Sequence, residues 1–112
     1  MVIDKLKYDI LDECACAWEE LFIVISLVDF DYEEEIDKLV KALVELTSNR
    51  YLECHLGCDL VTDVTEKQLK EHIQLRIKNG EDLETYPSSG KEYRFTTTDK
   101  GISVLDEEDK PN

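Results

Sequence analysis

Apolar residues recur at sevens through the amino-terminal stretch: Ile3, Ile10, Ala17 and Val24 form one series, and Cys14, Leu21 and Val28 a second. That spacing lays an apolar stripe along a helix over residues 3–28, read either as one long helix or as two short ones bent near Cys14 to Ala17. Periodicity does not separate the two, and Phe22-Ile23-Val24-Ile25 also suits a buried strand. A turn over Asp29-Phe30-Asp31-Tyr32 follows, with Asp31 and Glu34 spaced for a capping box. The next helix, over residues 32–49, has Ile36, Leu39, Val40, Leu43, Val44 and Leu46 as its apolar face. Asn49 is the expected left-handed terminator and Arg50 stands at the negative end of the dipole. Tyr51 to Leu56 alternates as a short strand.

The first glycine or proline is Gly57. Beyond it the texture changes. Thr65-Glu66-Lys67-Gln68 has the spacing of a capping box, and Leu69, Ile73 and Ile77 continue it as a helix to Lys78, stopped by Asn79-Gly80. The competing reading makes residues 73–77 a strand and Asn79-Gly80 a hairpin turn. Residues 81–91, with Pro87, Ser88, Ser89 and Gly90, read as a loop. Glu92-Tyr93-Arg94-Phe95-Thr96-Thr97 alternates as a strand, residues 98–105 as a capped terminal helix, and residues 106–112 as a charged, frayed tail.

Two segments carry a family resemblance. Leu39 to Leu46 followed by Asn49-Arg50-Tyr51-Leu52-Glu53 resembles the third helix and following strand of the winged helix-turn-helix superfamily. Tyr93-Arg94-Phe95-Thr96-Thr97-Thr98-Asp99-Lys100-Gly101, with Leu105 beyond, is similar to its returning wing strand, where Thr caps the last helix and Gly lets backbone pass close. The resemblance implies an α+β class: a mostly helical winged-helix-like domain with a small antiparallel sheet. Length makes residues 1–112 a single domain, comprising an N-terminal helical segment (1–28), a helix (32–49), an insertion (57–91), a wing strand with terminal helix (92–105) and the tail. The insertion is far longer than a simple wing requires.

Charge changes the functional expectation. The chain has 112 residues, 13 Lys plus Arg and 27 Asp plus Glu, for a net charge of −14. Residues 1–65 carry −11 of it, residues 66–100 are neutral, and the remainder holds −3. The helix that would read DNA begins Glu33-Glu34-Glu35-Ile36-Asp37, where a reader presents cations and amides to phosphates and base edges. A phosphate backbone would be repelled.

Glu33, Glu34, Glu35 and Asp37 are therefore the expected contacts for a basic protein partner. The other expectation is DNA docking through a basic face of the insertion and wing, comprising Lys67, Lys70, Arg76, Lys78, Lys91 and Arg94, with a homodimer formed through the N-terminal helix. Apolar runs are too short for a membrane span, no secretory signal is visible at the amino terminus, and a cytoplasmic location is expected.

Candidate chemistry adds little. Cys54, His55 and Cys58 have the look of half a zinc site, but Cys14 and Cys16 on one helix lie about 200° apart around its axis and cannot share an ion. Buried thiols are the expectation, with no metal and no cofactor. Cys54 and His55, as strand neighbours, point to opposite faces and cannot form a nucleophile and base. The carboxylate pairs Asp12-Glu13 and Glu19-Glu20 read as solvated faces, Asp59 and Asp63 lie near a bend without a phosphate loop, His72 reads as a surface residue, Trp18 as core and Tyr86 as an exposed contact. The function expected is that of a non-catalytic adaptor or antagonist.

Overall fold

Helix α1 (Lys5–Glu13) starts at Asp4, whose side chain accepts the Lys7 N–H at 2.9 Å. Its end is fixed from far away in the chain. Thr97 donates its N–H to the Cys14 carbonyl at 3.0 Å and its hydroxyl to the Leu11 carbonyl at 2.7 Å, meeting acceptors that the last helical turn leaves open. The chain then turns, forms a two-residue strand β1 (Glu19–Glu20), and enters the short helix α2 (Leu21–Val24), which continues as a 3-10 turn over Ile25–Leu27. The bent alternative for residues 3–28 is thus the one adopted, with a strand at the bend; Phe22 to Ile25 are helical.

Helix α3 (Glu33–Ser48) is the spine of the molecule, with Leu39, Val40, Leu43 and Leu46 fully buried. Strand β2 (Leu52–Leu56) turns through Gly57 and Cys58 into β3 (Asp59–Val61), and helix α4 (Glu66–Lys78) follows. Strand β4 (Tyr93–Thr97) returns antiparallel to β2, and α5 (Asp99–Glu107) closes the chain. These elements come from a computed structural model, which describes residues 1–107. The tail expected over residues 106–112 lies outside the described residues from 108 onward, while Asp106 and Glu107 belong to α5.

All pairings in the four-stranded sheet are antiparallel, in the order β1-β4-β2-β3. The protein is therefore of the α+β class. Alternation divides the sheet into two faces. Leu52, Cys54, Tyr93, Phe95 and Thr97 are buried toward the helices, joining Ile10, Leu11, Val24, Leu43, Leu69 and Ile73 in one core. Glu53, His55, Arg94 and Thr96 face the other way and are exposed or half-buried.

The capping box at α4 is formed as read: Thr65 Oγ1 accepts the Gln68 N–H at 3.1 Å and Gln68 returns an oxygen to the Thr65 N–H at 2.9 Å. Helix, not hairpin, occupies residues 73–77. Both α3 and α4 end in a six-to-one turn, Tyr51 N–H to Leu46 carbonyl at 2.9 Å and Glu81 N–H to Arg76 carbonyl at 3.0 Å. In α4 the left-handed residue is Gly80; in α3 it is Arg50, at φ 67°, and not Asn49. The expected Asp31 cap is also absent, since α3 begins after Tyr32 without a side-chain cap bond.

Trp18 is the clearest departure: expected in the core, it lies 40% exposed on the outer face of the sheet. Tyr86 is exposed as expected, though its ring edge rests near Phe22 at 6.0 Å between centroids.

Candidate functional site

Side by side, the beginning of α3 and the body of α4 form a groove. Phe30, Ile36, Ile73 and Ile77 line its apolar part, and Asp31, Glu33, Asp37, Lys70 and Gln74 complete the wall of a cavity of about 300 Å³. Helical spacing explains the composition. Glu33 and Asp37 stand four residues apart on one face of α3, while Ile73 and Ile77 do the same on α4. Ile77 is half exposed, so the apolar floor continues to the surface.

The four acids expected to bind a partner divide between two places. Glu33 and Asp37 face the groove. Glu34 and Glu35 line a shallower recess beside it with Asp29, Tyr32 and Lys38. Asp37 reaches Lys70 at 2.7 Å across the helix pair, and Glu35 reaches Lys38 at 3.0 Å. Each carboxylate holds its lysine above the ordinary range, chiefly by hydrogen bonding. Asp31 and Glu33 have no ion-pair partner among the described residues, so the groove keeps a negative rim. The charge of the α3 start points to Glu33 and Asp37, but not to Asp31, Phe30, Ile73 and Ile77, whose position in a groove depends on how the two helices pack.

The basic face proposed for DNA is not assembled as expected. Arg76 is withdrawn from it: the side chain is buried and donates to the carbonyls of Asp82 and Thr85 at 2.8 and 2.5 Å, with Glu81 at 3.4 Å. Glu81 in turn is held below the ordinary carboxylate range, first by the Ser88 N–H. Lys70 is occupied by Asp37, and Lys67 lies 3.9 Å from Glu71. Lys78 and Lys91 are exposed, and Arg94 sits on the outer sheet face. No long N-terminal helix exists to pair two copies, because α1 ends at Glu13 and buries Ile10 and Leu11 within the monomer.

His72 is not a plain surface residue. Its Nε2 lies 2.9 Å from Oε1 of Glu92, a carboxylate with no solvent exposure. Among the cysteines, Cys14 and Cys54 are buried and Cys16 and Cys58 exposed, so the buried-thiol expectation fits only two of them. Burial pushes both inner thiols up to about 12, with Glu19 and Glu13 adding to the effect at Cys14. Neither is a nucleophile near neutral pH. Among the described residues no group of three or more His, Cys, Asp or Glu is placed to hold a metal ion.

No described helix is long and apolar enough to cross a membrane. Comparison of the chain with family models, curated proteins and solved structures finds no match.

Proposed function

We propose that this chain is a non-catalytic binding protein of winged-helix-like architecture, an adaptor or antagonist that receives a basic amphipathic segment of a protein partner in the α3–α4 groove. The observation that carries this reading is an apolar floor of Phe30, Ile36, Ile73 and Ile77 under a rim holding Asp31 and Glu33. Apolar contacts supply affinity in such a groove while the charged rim selects the sign of the partner and speeds its arrival. The order helix, strand, helix, helix, strand, strand, with β1 beside β4 and β4 beside β2, supports the winged-helix reading. In that frame β3 and α4 are the insertion between the wing strands. The acidic charge of the first 65 residues favours a basic protein over nucleic acid.

A Lys/Leu amphipathic helical peptide, titrated calorimetrically into the full chain, tests the proposal. Binding should weaken with salt. Glu33→Lys should flatten that salt dependence, and Ile77→Ser should lower affinity at every salt concentration. Two results would overturn the reading: no peptide binding, or binding of duplex DNA at moderate salt that is lost on changing Lys91 and Arg94 to Glu.

A further inference from the structure

The outer face of the sheet holds a second recess, remote in kind from the acidic groove. Cross-strand register places Glu20, Arg94, His55 and Leu60 in one row, since Glu20 pairs with Arg94, Arg94 with His55, and His55 with Leu60. Trp18, two residues before Glu20, lies against His55 with ring centroids 4.3 Å apart and planes inclined at 54°. Together with Gly57, Cys58 and Arg94 these two rings line an open recess of about 150 Å³.

Arg94 is the unusual member. Its Nε is enclosed without a hydrogen-bond acceptor, and none of the ion pairs among the described residues involves its guanidinium. The acids nearest in register do not supply an acceptor: Glu20 makes no ion pair with Arg94, and Glu53 turns to His55 at 3.3 Å. The Nε is closed to a ligand, but the terminal N–H groups of a guanidinium that lines the recess offer a fork, which is met best by a planar, bidentate oxyanion. Beside it stands Trp18, 40% exposed, whose ring suits an apolar planar group.

We propose that this recess binds a small aromatic carboxylate, with the carboxylate on Arg94 and the ring against Trp18. A recess of this size holds a single ring with its acid group. One negative charge is preferred to two, because Glu20 and Glu53 share this face of the sheet and repulsion grows with the charge of the ligand.

Trp18 is the only tryptophan of the chain, so its emission reports on the site directly. Benzoate, acetate and inorganic phosphate are titrated into the full chain, with excitation at the red edge of the tryptophan band. Line broadening of the benzoate ring protons provides a readout independent of that residue. Benzoate should saturate with a Kd on the order of millimolar, and acetate should bind at least about tenfold more weakly for want of the ring.

Arg94→Gln should weaken benzoate by about tenfold or more, and Arg94→Lys, which keeps the charge without the fork, by a smaller factor. If Arg94→Gln fails to fold, Arg94→Lys decides. Absence of saturation, unchanged benzoate affinity in the folded Arg94 variants, or phosphate binding as tightly as benzoate would each overturn the assignment.

Discussion

Glu92, a carboxylate with no exposure to solvent, places Oε1 2.9 Å from Nε2 of His72 while its other oxygen has only the Arg76 guanidinium, at 3.9 Å, beside it. Oε1 also accepts the Tyr93 N–H at 2.9 Å. Arg76 bridges this carboxylate to the loop over residues 81–91 through the carbonyls of Asp82, Leu83 and Thr85. Helix α4, the loop and the start of β4 are thus joined by one buried polar cluster.

Removing Arg76 leaves Glu92 Oε2 and the loop carbonyls of Asp82, Leu83 and Thr85 without its guanidinium donors, while Oε1 keeps His72 and the Tyr93 N–H. Arg76→Met should therefore cost about 3 kcal/mol of unfolding free energy, seen as a lower urea midpoint. The double variant Arg76→Met with Glu92→Leu should recover part of that loss, because the orphaned carboxylate goes with its partner. Recovery stays incomplete, since the loop carbonyls remain unmet. If the two substitutions simply add, Glu92 and Arg76 are not coupled.

Arg50 is the only non-glycine residue with positive φ among the described residues, and it occupies the position after α3 where glycine costs nothing. Its backbone carbonyl accepts the Thr98 hydroxyl at 2.5 Å, a bond that any residue would preserve. Arg50→Gly should accordingly raise stability by about 0.5–1 kcal/mol in urea unfolding. No gain would mean that the arginine side chain offsets its backbone strain through contacts of its own.

Local signals were legible and non-local ones were not. The Thr65 and Gln68 pair is a four-residue pattern, and the structure builds it as read. By contrast, α1 stops because Thr97, distant in sequence, hydrogen-bonds to the Leu11 and Cys14 carbonyls, so the apolar sevens ran straight through the break. Strand β1 is only Glu19 and Glu20, a pair that propensity assigns to a solvated helix face until β4 arrives to pair with it. In the sequence Arg76 reads as surface charge because its acceptors belong to the following loop, and Trp18 as core because size does not reveal which face of a sheet is covered. The same limit applies to the groove. Glu33 and Asp37 follow from the sequence of α3 alone, whereas Asp31 comes from the preceding turn and the apolar floor requires α4.

Gly101 shows how tightly α5 sits. A Cβ added there would lie 2.5 Å from both the Tyr51 carbonyl oxygen and Thr97 Cγ2. Alanine favours the helix intrinsically by about 1 kcal/mol over glycine. Backbone cannot yield as a side chain can, so Gly101→Ala should still destabilise, by about 2 kcal/mol net, and lower the thermal midpoint. Gly80→Ala is the informative comparison: it faces open space at φ 72° and should lose only about 1 kcal/mol, from conformation alone.

Thiol accessibility divides the cysteines. Under native reducing conditions a maleimide should modify Cys16 and Cys58, which are exposed, and spare Cys14 and Cys54, which are buried. Mass spectrometry should count two adducts on the folded chain and four after denaturation. Prompt native labelling of Cys54 would show that the sheet opens on the labelling time scale.

Those two inner thiols also set a dependence on alkaline pH. Burial raises Cys14 and Cys54 to about 12 in the folded chain, so between the ordinary thiol value of 9.0 and that point the unfolded chain loses protons that the folded chain keeps. The unfolded state then binds fewer protons, and stability falls as pH rises. The thiol contribution is intact below the lower limit and is lost progressively toward the upper one, at about 1.4 kcal/mol per pH unit for each fully titrating thiol.

The comparison between variants isolates the thiol and carries the test. Cys54→Ala should begin less stable near neutrality, because it leaves a small cavity, yet show a shallower decline of urea midpoint with pH. The stability curves of the two proteins should converge as pH rises. Parallel curves would show that the Cys54 thiol reaches solvent in the folded protein.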